Sequence, residues 1–144
     1  MVYPHKPVLL YETVNALITD PDGIYLDGTV GGGGHSEEIG RKISASGRLI
    51  CLDRDIDAIR ISGSRLKFLG DRVTVINANY SGIGEVLARL RIDKVKGILL
   101  DLGLSSYQLD RSGRGFSFNR DEPLDMRMDP RDSVTAEKLI NELS

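Results

Sequence analysis

Four consecutive glycines and two strand-end carboxylates carry the clearest chemical signal in this sequence. The run lies within Asp27-Gly28-Thr29-Val30-Gly31-Gly32-Gly33-Gly34-His35. Glycines in such a turn let backbone approach a ligand closely, because no Cβ intervenes and positive φ is open to them. Asp53 follows Gly33 by 20 residues. At that spacing a carboxylate ending the next strand can accept hydrogen bonds from both hydroxyls of an adenosine ribose. Loop and acid together read as a nucleotide-cofactor site; the plainer alternative is a tight turn followed by a helix-capping aspartate. A second acid, Asp101, closes the apolar run Gly97-Ile98-Leu99-Leu100, at the carboxyl edge where open α/β sheets bind ligands.

The loop also bears on which cofactor it would hold. Gly31-x-Gly33 is followed by Ser36 where a dinucleotide fingerprint has its third glycine. Asp27 precedes the loop, and a carboxylate beside a helix N-terminus opposes a pyrophosphate but tolerates a cationic amino-acid moiety. Both features favour S-adenosylmethionine over NAD. No Gly-Lys-Ser or Gly-Lys-Thr occurs, so a phosphate-binding P-loop is not expected. In a methyl-transfer setting Asp101 could orient the N–H bonds of an exocyclic amine, whose lone pair is delocalised until the methyl carbon is attacked. Alternatively it caps the turn at Leu102-Gly103. Tyr80 either flanks an adenine ring or is a half-buried aromatic at a strand end. His35 meets the cofactor through its backbone or simply begins a helix.

Positioning these residues requires alternating short strands and helices. Val8, Tyr11, Val14, Leu17 and Ile18 recur at helical spacing from Pro7 onward, and Asp20-Pro21-Asp22-Gly23 ends that helix. Ile24 to Asp27 reads as a first buried strand, and the glycine loop leads to a helix bearing Ile39 and Ile43. Leu49 to Leu52, closed by Asp53, is a second strand. Asp55 is placed to cap the helix of Ile56, Ile59 and Leu66. Val73 to Ile76, a helix from Ile83 to Leu90, and a strand from Gly97 to Asp101 continue the alternation. That order predicts an α/β fold with a parallel sheet covered on both faces. Ser105 to Asp132 shows neither period and reads as irregular. Val134 to Leu143 returns to a helical pattern with Ser133 or Thr135 as N-cap.

With 144 residues, 40% of them hydrophobic and 28% charged, the chain has the composition of a globular domain. It has no apolar run long enough to cross a bilayer and no targeting pattern, so a cytoplasmic protein with no membrane partner is expected. One cysteine, Cys51, and two histidines offer neither an internal disulfide nor a metal-ligand cluster. Cys51 reads as a buried strand residue and not as a nucleophile. A net charge of -2 gives no global attraction for nucleic acid. Any RNA contact must be local, and Arg111, Arg114, Phe116, Phe118, Arg120 and Arg127 interleave cations with aromatics in a way that suits phosphates and stacked bases. Asp110, Asp121, Glu122, Asp125 and Asp129 nearly cancel that charge, which equally suits a solvated loop.

Several strings resemble one family. They are His5-Lys6-Pro7-Val8-Leu9-Leu10, Gly33-Gly34-His35-Ser36, Asp101-Leu102-Gly103-Leu104-Ser105-Ser106-Tyr107-Gln108-Leu109-Asp110, Arg114-Gly115-Phe116-Ser117-Phe118 and Pro123-Leu124-Asp125-Met126-Arg127-Met128-Asp129. Together they resemble the RsmH (MraW) family over essentially the whole chain. The resemblance implies a Rossmann-like class I methyltransferase core, incomplete at its C-terminal side, that uses S-adenosylmethionine to methylate N4 of a cytidine in the decoding region of 16S, small-subunit ribosomal RNA. Carried onto matching positions, it implies cofactor contacts at Gly33, Gly34 and His35, Asp53 on the ribose, Tyr80 near the adenine, and Asp101 and Gln108 around the methionine end, with Asp101 also catalytic. Other members often have Phe where Tyr80 stands. It further implies residues 1–104 as the cofactor-binding core and 105–144 as the start of a helical insertion that recognises substrate. The expected partner is small-subunit rRNA in the assembled subunit.

Family members are considerably longer, so the chain is expected to lack the last strands and most of the insertion. Besides a piece that binds cofactor and transfers methyl groups poorly, two readings remain. One is a non-catalytic cofactor-binding or dimerisation module that pairs through a sheet edge as a homodimer. The other is half of an NAD-dependent oxidoreductase.

Overall fold

In a computed structural model, residues 7–142 are described. His5, Lys6 and Leu143 of the sequence reading lie outside them. The chain divides into two compact units, Met1–Leu102 and Gly103–Ser144.

The first unit alternates helix and strand in the predicted order: α1 (Leu10–Leu17), β1 (Ile24–Asp27), α2 (Gly34–Lys42), β2 (Arg48–Asp53), α3 (Ile56–Arg65), β3 (Val73–Asn77), α4 (Ile83–Arg89) and β4 (Gly97–Leu99). A short 3₁₀ stretch, Lys67–Arg72, joins α3 to β3, and another, Tyr80–Gly82, leads into α4. The four strands form one parallel sheet in the order β3-β2-β1-β4. Strand alternation divides the core in two. Tyr25, Leu49, Cys51 and Leu99 point to one face and pack with Val14, Ile39, Ile43, Leu66 and Leu69. Leu26, Ile50 and Leu52 point to the other and pack with Val86 and Ile92. This is the doubly covered parallel sheet that continuous apolar strands require.

Three features differ from the sequence reading. Helix α1 starts at Leu10 because Leu9 adopts a left-handed φ of 50°. Val8 and Tyr11 are therefore exposed, and Val14 is the buried contact. Strand β4 stops at Leu99, two residues before Asp101. At that level β1 gives way to the glycine loop, so the ladder loses its partner. In the second unit, part of the stretch read as irregular forms a helix, α5 (Ser106–Asp110). Its capping box explains it: Ser105 Oγ accepts from the Gln108 amide and Gln108 Oε1 accepts from the Ser105 amide. A last helix, α6 (Ala136–Glu142), follows Thr135, whose Oγ1 accepts from the Lys138 amide.

Leu26 is fully buried in the central strand. Leu26→Ala is expected to lower the unfolding free energy by about 3 kcal/mol, the cost of a core cavity. Urea unfolding checks this as a lower midpoint at unchanged slope.

Candidate functional site at the carboxyl edge of the sheet

Beyond Asp27 the chain is stitched to the strands on both sides of β1. The Gly28 amide donates to the Leu99 carbonyl (2.9 Å) and the Val30 amide to the Leu52 carbonyl (2.9 Å). The Gly31 amide then donates to Asp53 Oδ2 (2.9 Å), and the Asp101 amide donates to Thr29 Oγ1 (2.7 Å). The loop thus spans the exits of β2 and β4. Between β1 and β4 the strand order reverses, which is the place where ligands enter open α/β sheets. Two glycines are structurally required. A Cβ on Gly28 would stand 2.6 Å from Leu100 Cδ2 and 3.2 Å from Tyr80 Cβ. Gly33 has a φ of 78° and forms the N-cap of α2.

Gly33, Gly34, His35, Asp53, Tyr80 and Asp101 all lie at this one edge. Asp53 Oδ1 accepts from the Asp55 amide (2.9 Å), so both carboxylate oxygens are oriented by backbone. Burial raises its pKa above the ordinary value, against the lowering effect of the Asp55 and Gly31 amides. Asp55 in turn caps α3 by accepting from the Asp57 amide. Gly34 opens α2. Tyr80 is 42% exposed beside Gly28, so it presents part of its ring at the edge.

His35 is not merely the start of a helix. Its ring is buried, with Nε2 3.2 Å from the Val8 carbonyl and Nδ1 3.7 Å from Asp101 Oδ2. A carbonyl only accepts, so Nε2 carries hydrogen. Asp101 itself is exposed, with half of its side-chain surface open. Arg65 reaches the loop, where it pairs with Glu37 and donates to the Gly32 carbonyl (3.0 Å). The edge consequently offers two carboxylates, Asp53 oriented by two backbone amides and Asp101 exposed beside the His35 ring, and the nearby cation is internally engaged. Such acceptors suit the hydroxyls of a diol and a positive charge and oppose a pyrophosphate. Gln108 belongs to the second unit, where it is buried in the α5 capping box.

The model of the MraW methylase family matches residues 2–144. This chain belongs to that family. It is 53% identical over 144 residues to the ribosomal RNA small subunit methyltransferase H of Lachnospira eligens, covering 100% of this chain and 46% of the relative. With the protein of the same name from Heliobacterium modesticaldum it shares 52% over 143 residues, 99% of this chain and 46% of that relative. The chain thus spans about half the length of these MraW relatives. A crystal structure described as an rRNA methylase from Clostridium thermocellum superposes with a TM-score of 0.58 at 22% identity, over 69% of this chain and 54% of that one. That likeness shows the fold: a Rossmann-like α/β core.

In this MraW chain Asp27 departs from the sequence reading. Its carboxyl was read as opposing a pyrophosphate while tolerating a cationic moiety, yet it is 1% exposed and points into the protein. Oδ2 accepts from Ser36 Oγ (2.7 Å) and Oδ1 from the Thr29 amide (3.1 Å). Ser36, standing where a third glycine was missed, is fully buried and also touches Cys51 Sγ at 3.2 Å. The Ser36 hydroxyl braces the acid beneath the loop. Burial pushes the Cys51 thiol well above its ordinary range, so this cysteine is inert. The sequence reading gave no role to the Thr29 hydroxyl, the Ser36 hydroxyl or the His35 ring. Ser36 alone left a signal, as the exception in a glycine pattern.

Burial pushes Asp27 up to about 6 from an ordinary 3.8, although the Ser36 and Thr29 hydrogen bonds pull it down. The folded state therefore binds more protons than the unfolded chain between those two values. Stability from this group is complete below about pH 4 and is lost as pH rises to 6. Relative to Asp27→Asn, the parent is expected to lose on the order of 2 kcal/mol across that window. Denaturation midpoints of both proteins at stepped pH check it; parallel curves would remove the assignment.

Proposed function

We propose that this chain is the S-adenosylmethionine-binding half of an enzyme that methylates N4 of a cytidine in 16S ribosomal RNA. The observation that carries the reading is a glycine loop flanked by the Asp53 carboxylate, which two backbone amides orient, and by Asp101, whose backbone amide Thr29 holds, at the carboxyl edge where the strand order reverses. When bound, S-adenosylmethionine supplies an electrophilic methyl group on a sulfonium.

Asp53 accepts the ribose hydroxyls, and its two backbone bonds fix the direction of the carboxylate before the ligand arrives. The backbone at Gly33, Gly34 and His35 would hold the ligand, and Tyr80 would flank the adenine. Asp101 is the catalytic carboxylate, near the methionine end of the ligand. It would accept a hydrogen bond from the cytidine amine, orient that nitrogen for transfer, and receive the proton the nitrogen sheds. Transfer is direct, without a covalent enzyme intermediate, in keeping with the buried Cys51.

Residues 105–144 begin a substrate-recognition insertion. Most of its candidate RNA-binding side chains are committed within the unit. Arg114 donates to the carbonyls of Arg127 and Met128, Arg127 pairs with Asp125, and Phe116 is buried. Phe118 is fully exposed and offers a ring for base stacking. The partner is small-subunit rRNA, in the assembled subunit, in the cytoplasm. Among the described residues no helix is long and apolar enough to cross a membrane.

Isothermal titration with S-adenosylmethionine is expected to show saturable binding that NAD does not displace and that Asp53→Ala weakens about ten-fold or more, the loss of charge-assisted hydrogen bonds. Absence of binding to the unsubstituted chain would overturn the cofactor reading. For the RNA surface, Phe118→Ala is expected to weaken binding of small-subunit rRNA about ten-fold, as removal of one stacking ring does. Filter binding at fixed salt measures it, and an unchanged affinity would assign Phe118 no contact.

A further inference from the structure

We infer that Thr29 is a positioning residue for Asp101, linking the exposed carboxylate at the β4 exit to the buried acid beneath the glycine loop. The inference rests on the reading of this edge as the cofactor site and deepens it. Strand β4 ends at Leu99, so the backbone at Asp101 has no ladder partner from β1. The Thr29 hydroxyl takes that place, accepting from the Asp101 amide at 2.7 Å across 72 residues of sequence. Thr29 is in turn held by its own amide, which donates to Asp27 Oδ1, while Ser36 Oγ donates to Asp27 Oδ2. A continuous path therefore runs from Ser36 through Asp27 and Thr29 to Asp101, whose carboxylate stands 3.7 Å from the His35 ring.

The path has a definite consequence for the side chain of Asp101. An aspartate has only two side-chain torsions, so fixing its backbone nitrogen confines where its oxygens can reach. Asp101 is exposed, and without the Thr29 bond its amide would turn to water. The carboxylate would then sample positions away from His35 and from the loop. Threonine serves here through its hydroxyl alone: serine supplies the same acceptor, whereas valine keeps the shape and removes it.

Thr29→Val and Thr29→Ser in this chain test the inference, with two readouts. Hydrogen exchange at the Asp101 amide needs no ligand and is expected to quicken about ten-fold or more in Thr29→Val, while Thr29→Ser stays close to the parent. Titration with S-adenosylmethionine is expected to show about ten-fold weaker binding for Thr29→Val, restored by Thr29→Ser and absent as an added effect in an Asp101→Ala background. An unchanged Asp101 exchange rate in Thr29→Val would overturn the inference. So would equal ligand affinity of Thr29→Val and the parent, or a Thr29→Val loss that persists in full beside Asp101→Ala. If the unsubstituted chain binds no S-adenosylmethionine, the functional reading fails and the exchange rates alone decide whether Thr29 holds Asp101.

Discussion

The amides of Gly28 and Val30 donate to carbonyls on opposite sides of β1, to Leu99 of β4 and Leu52 of β2, and the rest of the site follows from that division. A loop leaving the end of a central strand could swing freely. Here each successive residue is tied to a different neighbour, so the loop lies across both strand exits. Asp53 and Asp101 then need no long side chains to reach it. Each is short, and each meets the loop through a backbone amide, at Gly31 and at Asp101 itself. Geometry set by backbone and one or two torsions costs little entropy to hold.

Beneath that layer lies an electrostatic compromise. Asp27 is buried among hydrogen-bond donors that favour its charge, in surroundings whose low polarity opposes it, and the second effect is the stronger. A neutral residue would avoid the conflict. The acid nevertheless gives two acceptor atoms at one point, one for the loop through Thr29 and one for α2 through Ser36. It joins the turn to the helix that follows.

Much of the fold was legible because its signals are local. Ile24 to Leu26 and Leu49 to Leu52 are apolar runs closed by Asp27 and Asp53, and burial on both faces makes such runs conspicuous. What sequence missed depends on partners distant in the chain. The end of β4 is set by where β1 turns away, and the His35 ring is placed by Val8 and Asp101. Composition also cannot reveal whether an arginine faces solvent or binds carbonyls, as Arg114 and Arg127 do. By contrast α5 was readable from Ser105 and Gln108, and the surrounding density of polar residues obscured it.

The separation of 72 residues between Thr29 and Asp101 bears on the order in which the molecule assembles. Pairing of β1 with β2 and of β2 with β3 closes shorter loops than pairing of β1 with β4. Loop closure entropy therefore places the β4 exit among the last contacts to form. The same contacts lie at the rim of a three-residue strand, where few backbone bonds support them. The carboxyl edge is thus the late-forming part of an early core, and a molecule bridging Asp53 and Asp101 would add a link between strand exits that the sheet joins last.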